Sequence, residues 1–168
     1  MSRLRAALGS AAFVLFGGPT IVAGLVPWVL TRWEADDTPL ALRVPGLVLI
    51  ALGGALVLET TARFALQGRG TPVPFAPPER FVARGSYRLV RNPMYVGVLS
   101  LIVGQALLLG REILFGWAAL AAILFQLFVV LHEEPELRKR FGPEYDDYRR
   151  RTGRWLPRLS RSTSPARR

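Results

Sequence analysis

Two polar blocks of this chain carry the side chains with chemical potential. The first, Arg84-Gly-Ser-Tyr-Arg-Leu-Val-Arg-Asn-Pro-Met-Tyr-Val-Gly97, is basic and rich in turn formers. The second, His132-Glu-Glu-Pro-Glu-Leu-Arg-Lys-Arg-Phe-Gly-Pro-Glu-Tyr145, supplies carboxylates and aromatics. Asn92-Pro93 marks a helix start: asparagine is a preferred N-cap, and proline is preferred at the first helical position. The N–H groups exposed there, with Arg88 and Arg91 beside them, make a ready anion site. Glu133 offers a carboxylate opposite, and Tyr87, Tyr95, Tyr145 and Tyr148 surround the pair. Such a pocket suits a zwitterion with a carboxylate, a cationic centre and hydroxyls, since tyrosine faces attract cations. S-adenosylmethionine has all three features, and an anionic lipid head group is another candidate.

Other chemistries lack their residues. Gly68-Arg-Gly70 has neither the third glycine nor the strand–helix setting of a dinucleotide fingerprint. The chain has one histidine and no cysteine, so no disulfide framework or thiolate nucleophile is available and no metal site is expected. Glu133, Glu134 and Glu136 read as a helix end at the interface. No serine stands in a nucleophile elbow.

The elements that must position the two blocks are apolar. Residues 6–30, 44–66 and 94–131 are nearly free of charge, and the last run is broken at Gly110-Arg111-Glu112, a tight turn. Runs of about 20 apolar residues match a hydrocarbon core of roughly 30 Å. We therefore expect an all-α integral membrane protein with four transmembrane helices and a C-terminal amphipathic interfacial helix. The turn makes spans three and four a hairpin, so both polar blocks emerge on one side. The chain carries 22 Lys+Arg against 12 Asp+Glu. Five arginines fall in the second loop and eleven basic residues follow position 133, whereas the first loop mixes Arg32 and Arg43 with Glu34, Asp36 and Asp37. Basic residues flanking apolar spans place both termini in the cytoplasm and argue against nucleic acid.

Gly17-Gly18-Pro19 predicts a kink in the first span, and Gly46, Gly53 and Gly54 predict close helix packing in the second. Residues 1–24 mimic a secretory signal, but the apolar run continues to Leu30 and three more spans follow, so cleavage is not expected. Glu59 and Arg63, four apart near the end of the second span, read equally as a structural pair and as a lining of the site. Residues 68–78, with four prolines, form an extended strap. The fourth span ends at His132-Glu133-Glu134-Pro135. Beyond it Leu137, Phe141, Tyr145 and Tyr148 make one helical stripe, a helix pair lying in the interface, with Trp155 and Leu156 extending the anchor. Residues 1–158 read as a single domain and 159–168 as a disordered basic tail.

The two blocks together resemble the isoprenylcysteine carboxyl methyltransferases and their phospholipid-methyltransferase relatives. The shared pattern is a Gly-x-Tyr turn, Arg-(His/Asn)-Pro-x-Tyr-x-Gly opening a membrane helix, and a Glu-Glu block leading to Phe-Gly-x-x-Tyr-x-x-Tyr. Here these are Gly85-Ser-Tyr87, Arg91-Asn-Pro-Met-Tyr95-Val-Gly97, Glu133-Glu134 and Phe141-Gly142-Pro-Glu-Tyr145-Asp-Asp-Tyr148, followed by Arg-Trp155-Leu-Pro157. The resemblance covers about residues 68–157. It implies S-adenosylmethionine held at the cytoplasmic face by Phe81, Val82, Tyr87, Asn92, Pro93, Met94, Tyr95 and Glu133, with methyl transfer to a lipophilic acceptor bearing a carboxylate, phenol, enol or amine. Two positions depart from the pattern. Asn92 stands where many members have histidine, and Val129 stands where eukaryotic members place an arginine for a prenylcysteine carboxylate. No catalytic base or oligomeric state is legible. A non-enzymatic protein binding anionic membrane lipid through the same basic face is the alternative reading, and a transporter subunit is disfavoured because no span carries a midplane charge.

Overall fold

A computed structural model describes residues 17–67 and 85–158. Every regular element among them is helical, and the one β-type contact is an isolated parallel bridge between Val90 and Gly153. Helix α1 runs Gly18–Thr31, α2 Leu40–Gln67, α3 Pro93–Leu109 and α4 Ile113–Phe141, with α5, Pro143–Arg151, after it. A 3₁₀ turn, Gly85–Arg88, precedes α3. Two stretches, Leu40–Arg63 and Ile113–Phe141, are long and apolar enough to cross a membrane; α3 and the described part of the first apolar run are shorter. Residues 1–16, the 68–84 strap with Phe81 and Val82, and the 159–168 tail lie outside the described residues.

Helices α2 and α3 pack along reciprocal glycine contacts. A Cβ built on Gly53 would fall 2.7 Å from Gly97 O, and one on Gly97 would fall 2.9 Å from Gly53 O. One helical stretch away, Gly46 and Gly104 meet the same way, each Cβ position 2.8 Å from the other's carbonyl oxygen. With no side chain between them the backbones touch directly, the close approach that small residues permit in lipid. Gly54 faces open space and takes no part. Around this seam Val57, Val98, Ile102, Ala106, Leu114, Ala118 and Ala121 form the buried core.

Proline shapes both α1 and α4, and in each case it widens the turn before it. In α1 the five residues Ile21–Leu25 form a π-turn, in which Val26 N–H reaches back to Ile21 O. Pro27 follows and donates nothing, so the carbonyls of Val22 and Ala23 lose the partner a donor at position 27 would supply. Both are recovered by side chains from other helices: Trp117 Nε1 donates to Val22 O (2.8 Å) and Gln105 Nε2 to Ala23 O (2.8 Å). Gly17-Gly18-Pro19, where the sequence predicts a kink, falls at the start of the described helix, with Pro19 in its first turn. In α4 the π-turn Val129–Glu133 precedes Pro135, with Glu134 N–H bonded to Val129 O. Here the structure corrects the sequence reading. The fourth apolar helix does not end at His132-Glu133-Glu134-Pro135 but absorbs the proline and continues to Phe141, where Gly142 (φ +52°) breaks it from α5. The stripe survives the break: Tyr145 is buried, and Leu137, Phe141 and Tyr148 are half-buried.

Far from the two polar blocks, the α3–α4 turn closes as its sequence implies. Gly110 adopts φ +70°. Arg111 pairs with Asp36 (3.2 Å) and Glu34 (3.3 Å), while Asp36 N–H donates to Leu109 O (2.8 Å). The first loop is thereby docked on the hairpin tip.

The glycine seam makes a stability prediction. Gly53→Ala or Gly97→Ala must push the helices apart, an overpacking cost of about 1–3 kcal/mol that exceeds the helix-propensity gain of roughly 1 kcal/mol. Thermal unfolding in detergent, followed by tryptophan fluorescence, should show a lower midpoint for both variants. Gly54→Ala should leave it unchanged or raise it.

Candidate functional site

The hairpin brings the two polar blocks into contact. Tyr95, on the first turn of α3, donates its hydroxyl to Glu133 Oε1 at 2.6 Å across the α3–α4 pair. Its ring stacks on Phe125 of α4, centroids 4.5 Å apart, and lies 6.3 Å from the Trp155 ring. Tyr95, Phe125, Glu133 and Trp155 are all half-buried. Tyr87 sits in the 3₁₀ turn beside them. Burial, and then the nearby Glu133 carboxylate, push the Tyr87 phenol well above its ordinary range, so it stays protonated and able to donate.

Glu134, next in sequence, does different work. Arg154 grips it with two hydrogen bonds, Nε to Oε1 at 2.8 Å and Nη2 to Oε2 at 3.0 Å. Arg91 Nη1 approaches Oε1 to 2.9 Å, and Arg149 Nη2 lies 3.8 Å from Oε2. The carboxylate is 9% exposed, so one buried anion ties together the residue before α3, the middle of α4, helix α5 and the segment after it. Although the Arg91–Glu134 pair is close, its geometry completes no hydrogen bond: Arg91 Nη1 and Nε are both buried without a hydrogen-bond partner among the described residues. A guanidinium with unused donors therefore stands beside the N-terminus of α3.

The segment after α5 completes the site. Arg91 N–H donates to Gly153 O (2.8 Å), Asn92 Nδ2 to Arg154 O (3.3 Å), Tyr148 Oη to Tyr87 O (2.6 Å) and Trp155 Nε1 to Gln126 Oε1 (2.8 Å). Two expectations are corrected here. Asn92 occupies the N-cap position of α3 but makes no side-chain cap, because its amide is turned to the Arg154 carbonyl. Trp155 is not an outward interfacial anchor, since its indole N–H needs an acceptor and finds one inside the bundle; only Leu156, 78% exposed, faces outward.

The remaining predicted residues fall near this centre. Pro93 is fully buried at the start of α3, and Met94 is half-buried beside it. Val129, where the resemblance would ask for an arginine, is 1% exposed and packed in the core. Glu59 and Arg63 pair with each other, and Ser86 Oγ donates to Glu59 Oε2 (2.6 Å). Their visible role is to hold the turn that carries Tyr87. Gly85 (φ +62°) lies directly against the Arg63 guanidinium, leaving no room for a Cβ. Sequence reasoning missed Phe125, Gln126 and Arg154, and it read Glu134 as part of a helix end at the interface rather than as the hub of an ion-pair cluster. Gln126 left a signal, as the one polar residue besides tryptophan in Ile113–Phe128.

The sequence pattern of the phospholipid methyltransferase family matches residues 42–144, more than half of the chain, and the protein belongs to that family. Among individual proteins, it is 40% identical over 138 residues to the nickel-cobalt-cadmium resistance protein NccN of Alcaligenes xylosoxydans xylosoxydans, covering 81% of this chain and 60% of that one. It is 27% identical over 157 residues to methanethiol S-methyltransferase 1 of Bradyrhizobium diazoefficiens, covering 86% and 53%. A probable protein-S-isoprenylcysteine O-methyltransferase of Oryza sativa is 28% identical over 120 residues, covering 67% and 59%. The chain thus spans 60% or less of each of these relatives. No solved structure matches. Among the described residues no three His, Cys, Asp or Glu side chains gather where they could hold a metal ion.

Glu134→Ala should destabilise the protein by about 3 kcal/mol, the scale for removing one partner of a buried ion pair, because Arg91 would be left buried and uncompensated. The loss, read as a lowered thermal midpoint in detergent, should exceed that of the exposed Glu136→Ala.

Proposed function

We propose that this protein is an S-adenosylmethionine-dependent methyltransferase acting on a lipophilic acceptor at the cytoplasmic membrane face. The observation that carries the reading is the Tyr95–Glu133 contact, which joins the two family motifs across the hairpin at 2.6 Å. The residues present fit the donor. Arg91, with buried Nε and Nη1 lacking hydrogen-bond partners among the described residues, stands at the positive end of α3 and suits a carboxylate. Glu133 suits hydroxyl or amine donors, and the half-buried rings suit a cation. Tyr87, Pro93, Met94 and Tyr95 border the same space, while Phe81 and Val82 enter it by resemblance alone. Asn92 contributes through its backbone position, its amide serving the Arg154 carbonyl.

Bound there, S-adenosylmethionine supplies a methyl group on positively charged sulfur, open to in-line displacement by an acceptor lone pair, with the broken bond's electrons returning to sulfur as a neutral thioether. The protein's task is to align the acceptor and exclude water. A carboxylate or thiolate acceptor loses its charge in the reaction and needs no base. The relatives' names speak of methanethiol and of isoprenylcysteine, which supports a small or lipid-soluble sulfur- or oxygen-centred acceptor. Buried Val129 speaks against a prenylcysteine carboxylate held as in eukaryotic members. Four spans with both termini cytoplasmic put the site at the inner face of the plasma membrane, consistent with the arginine-rich segments around it.

Calorimetry on detergent-purified protein tests this reading. S-adenosylmethionine should bind saturably to the wild type, and Glu133→Ala should weaken binding at least tenfold, the scale of a lost charge-assisted hydrogen bond. Tyr95→Phe should weaken it less. Folded wild type that binds none, with or without added lipid, would favour an anionic-lipid-binding protein on the same scaffold.

A further inference from the structure

The aromatic cluster beside Glu133 is assembled from three separate parts of the chain. Tyr95 comes from α3, Phe125 from α4 and Trp155 from the segment after α5. The Tyr95 and Phe125 rings stack at 4.5 Å with planes 27° apart, and Trp155 is tilted 56° to Tyr95 at 6.3 Å. All three rings are half-buried rather than sealed in the core, so part of each surface remains open. Tyr95 links this cluster to the polar part of the site: its hydroxyl donates to Glu133 while its ring belongs to the cluster.

Trp155 is held with unusual redundancy for a residue so near the end of the described chain. Its indole N–H donates to Gln126 Oε1 at 2.8 Å. The residue before it is fixed twice, by Asn92 Nδ2 on its carbonyl (3.3 Å) and by the two-pronged grip of its guanidinium on Glu134. Gln126 is the cost of this arrangement, a polar side chain in an otherwise apolar stretch of α4. Polar groups within a membrane helix are expensive and need a partner, and here the partner is one indole. A hydrophobic plug would need neither the glutamine nor the fixed ring orientation.

We propose that Tyr95, Phe125 and Trp155 form the seat of a methyl-bearing sulfonium, and that Gln126 is the positioning residue that holds Trp155 in it. The inference rests on the methyltransferase reading above and adds the atoms that recognise the donor's charge. Aromatic faces attract cations, tryptophan most strongly, at about 6 Å or less from the ring centroid. The same seat offers nothing comparable to the neutral thioether left after transfer. The cluster therefore discriminates charged donor from uncharged product and favours product release.

The test compares S-adenosylmethionine with S-adenosylhomocysteine by calorimetry on the full chain in detergent, using wild type, Trp155→Leu, Trp155→Phe and Gln126→Leu. Wild type should bind the sulfonium more tightly than the thioether. Trp155→Leu should weaken sulfonium binding about tenfold, the scale of a desolvated cation–π contact, and change thioether binding less than twofold. Trp155→Phe should fall between. Gln126→Leu should weaken the sulfonium selectively and add nothing in the Trp155→Leu background, the non-additivity of residues acting as a unit. Equal losses for both ligands, or wild type that does not prefer the sulfonium, would overturn the proposal while leaving the methyltransferase reading intact. Should Trp155→Leu bind neither ligand, Trp155→Phe decides, and undiminished discrimination there overturns it. Wild type that binds neither ligand refutes both readings together.

Discussion

Glu134 has to satisfy three guanidiniums from a position that is almost wholly buried, and the arrangement that does so holds the candidate site together. Arg91 precedes α3, Arg149 lies on α5 and Arg154 follows it, so parts of the chain remote in sequence converge on one carboxylate. Replacing such a cluster with apolar groups of matching shape could be neutral or better for stability, and its value here is geometric. With Arg154 fixed, its carbonyl receives the Asn92 amide and Trp155 is directed at Gln126. With Arg91 fixed, a cation stands at the start of α3. The neighbouring carboxylate, Glu133, takes the Tyr95 hydroxyl instead.

The apolar part of the fold supplies the frame on which this polar cap is mounted. Glycine-to-carbonyl contacts draw α2 against α3 at two levels. A proline-widened turn in α1 is stitched to α3 and α4 by Gln105 and Trp117, which take up its released carbonyls. At the far end, Arg111 ties the hairpin tip to the acidic first loop. The stitching of α1 answers a requirement of a chain in lipid, that no backbone polar group be left without a partner. Together the three devices fix the relative height of Tyr95 and Glu133, the quantity on which the site depends.

Local pattern carried the sequence reading as far as it went. The Gly110 turn, the Asn92-Pro93 helix start, the Glu59–Arg63 pair and the Leu137-to-Tyr148 stripe are all written in adjacent residues, and each is found. The meeting of Tyr95 with Glu133 followed because a hairpin leaves its two ends little freedom. What escaped was set by partners far away in the chain. Asn92 looks like a cap until a carbonyl 62 residues later claims its amide. Trp155 looks like an interfacial anchor until Gln126 is placed within reach. The continuation of α4 through Pro135 was illegible for another reason: proline is a helix-breaker by rule, and only the π-turn before it lets the helix carry on.

That π-turn also decides how two identical side chains come to hold different offices. Successive residues on an α-helix point about 100° apart, so Glu133 and Glu134 could not share a wall of the site. The wide turn from Val129 to Glu133 holds one residue more than an α-turn would, and everything after it is rotated accordingly. Close that turn to an α-turn with the sequence unchanged and the residue bonded to Val129 O would be Glu133, carried toward the place where Glu134 now stands. The acidic doublet is thus a vernier, and a single residue of slack in α4 sets which carboxylate faces the tyrosine and which faces the arginines.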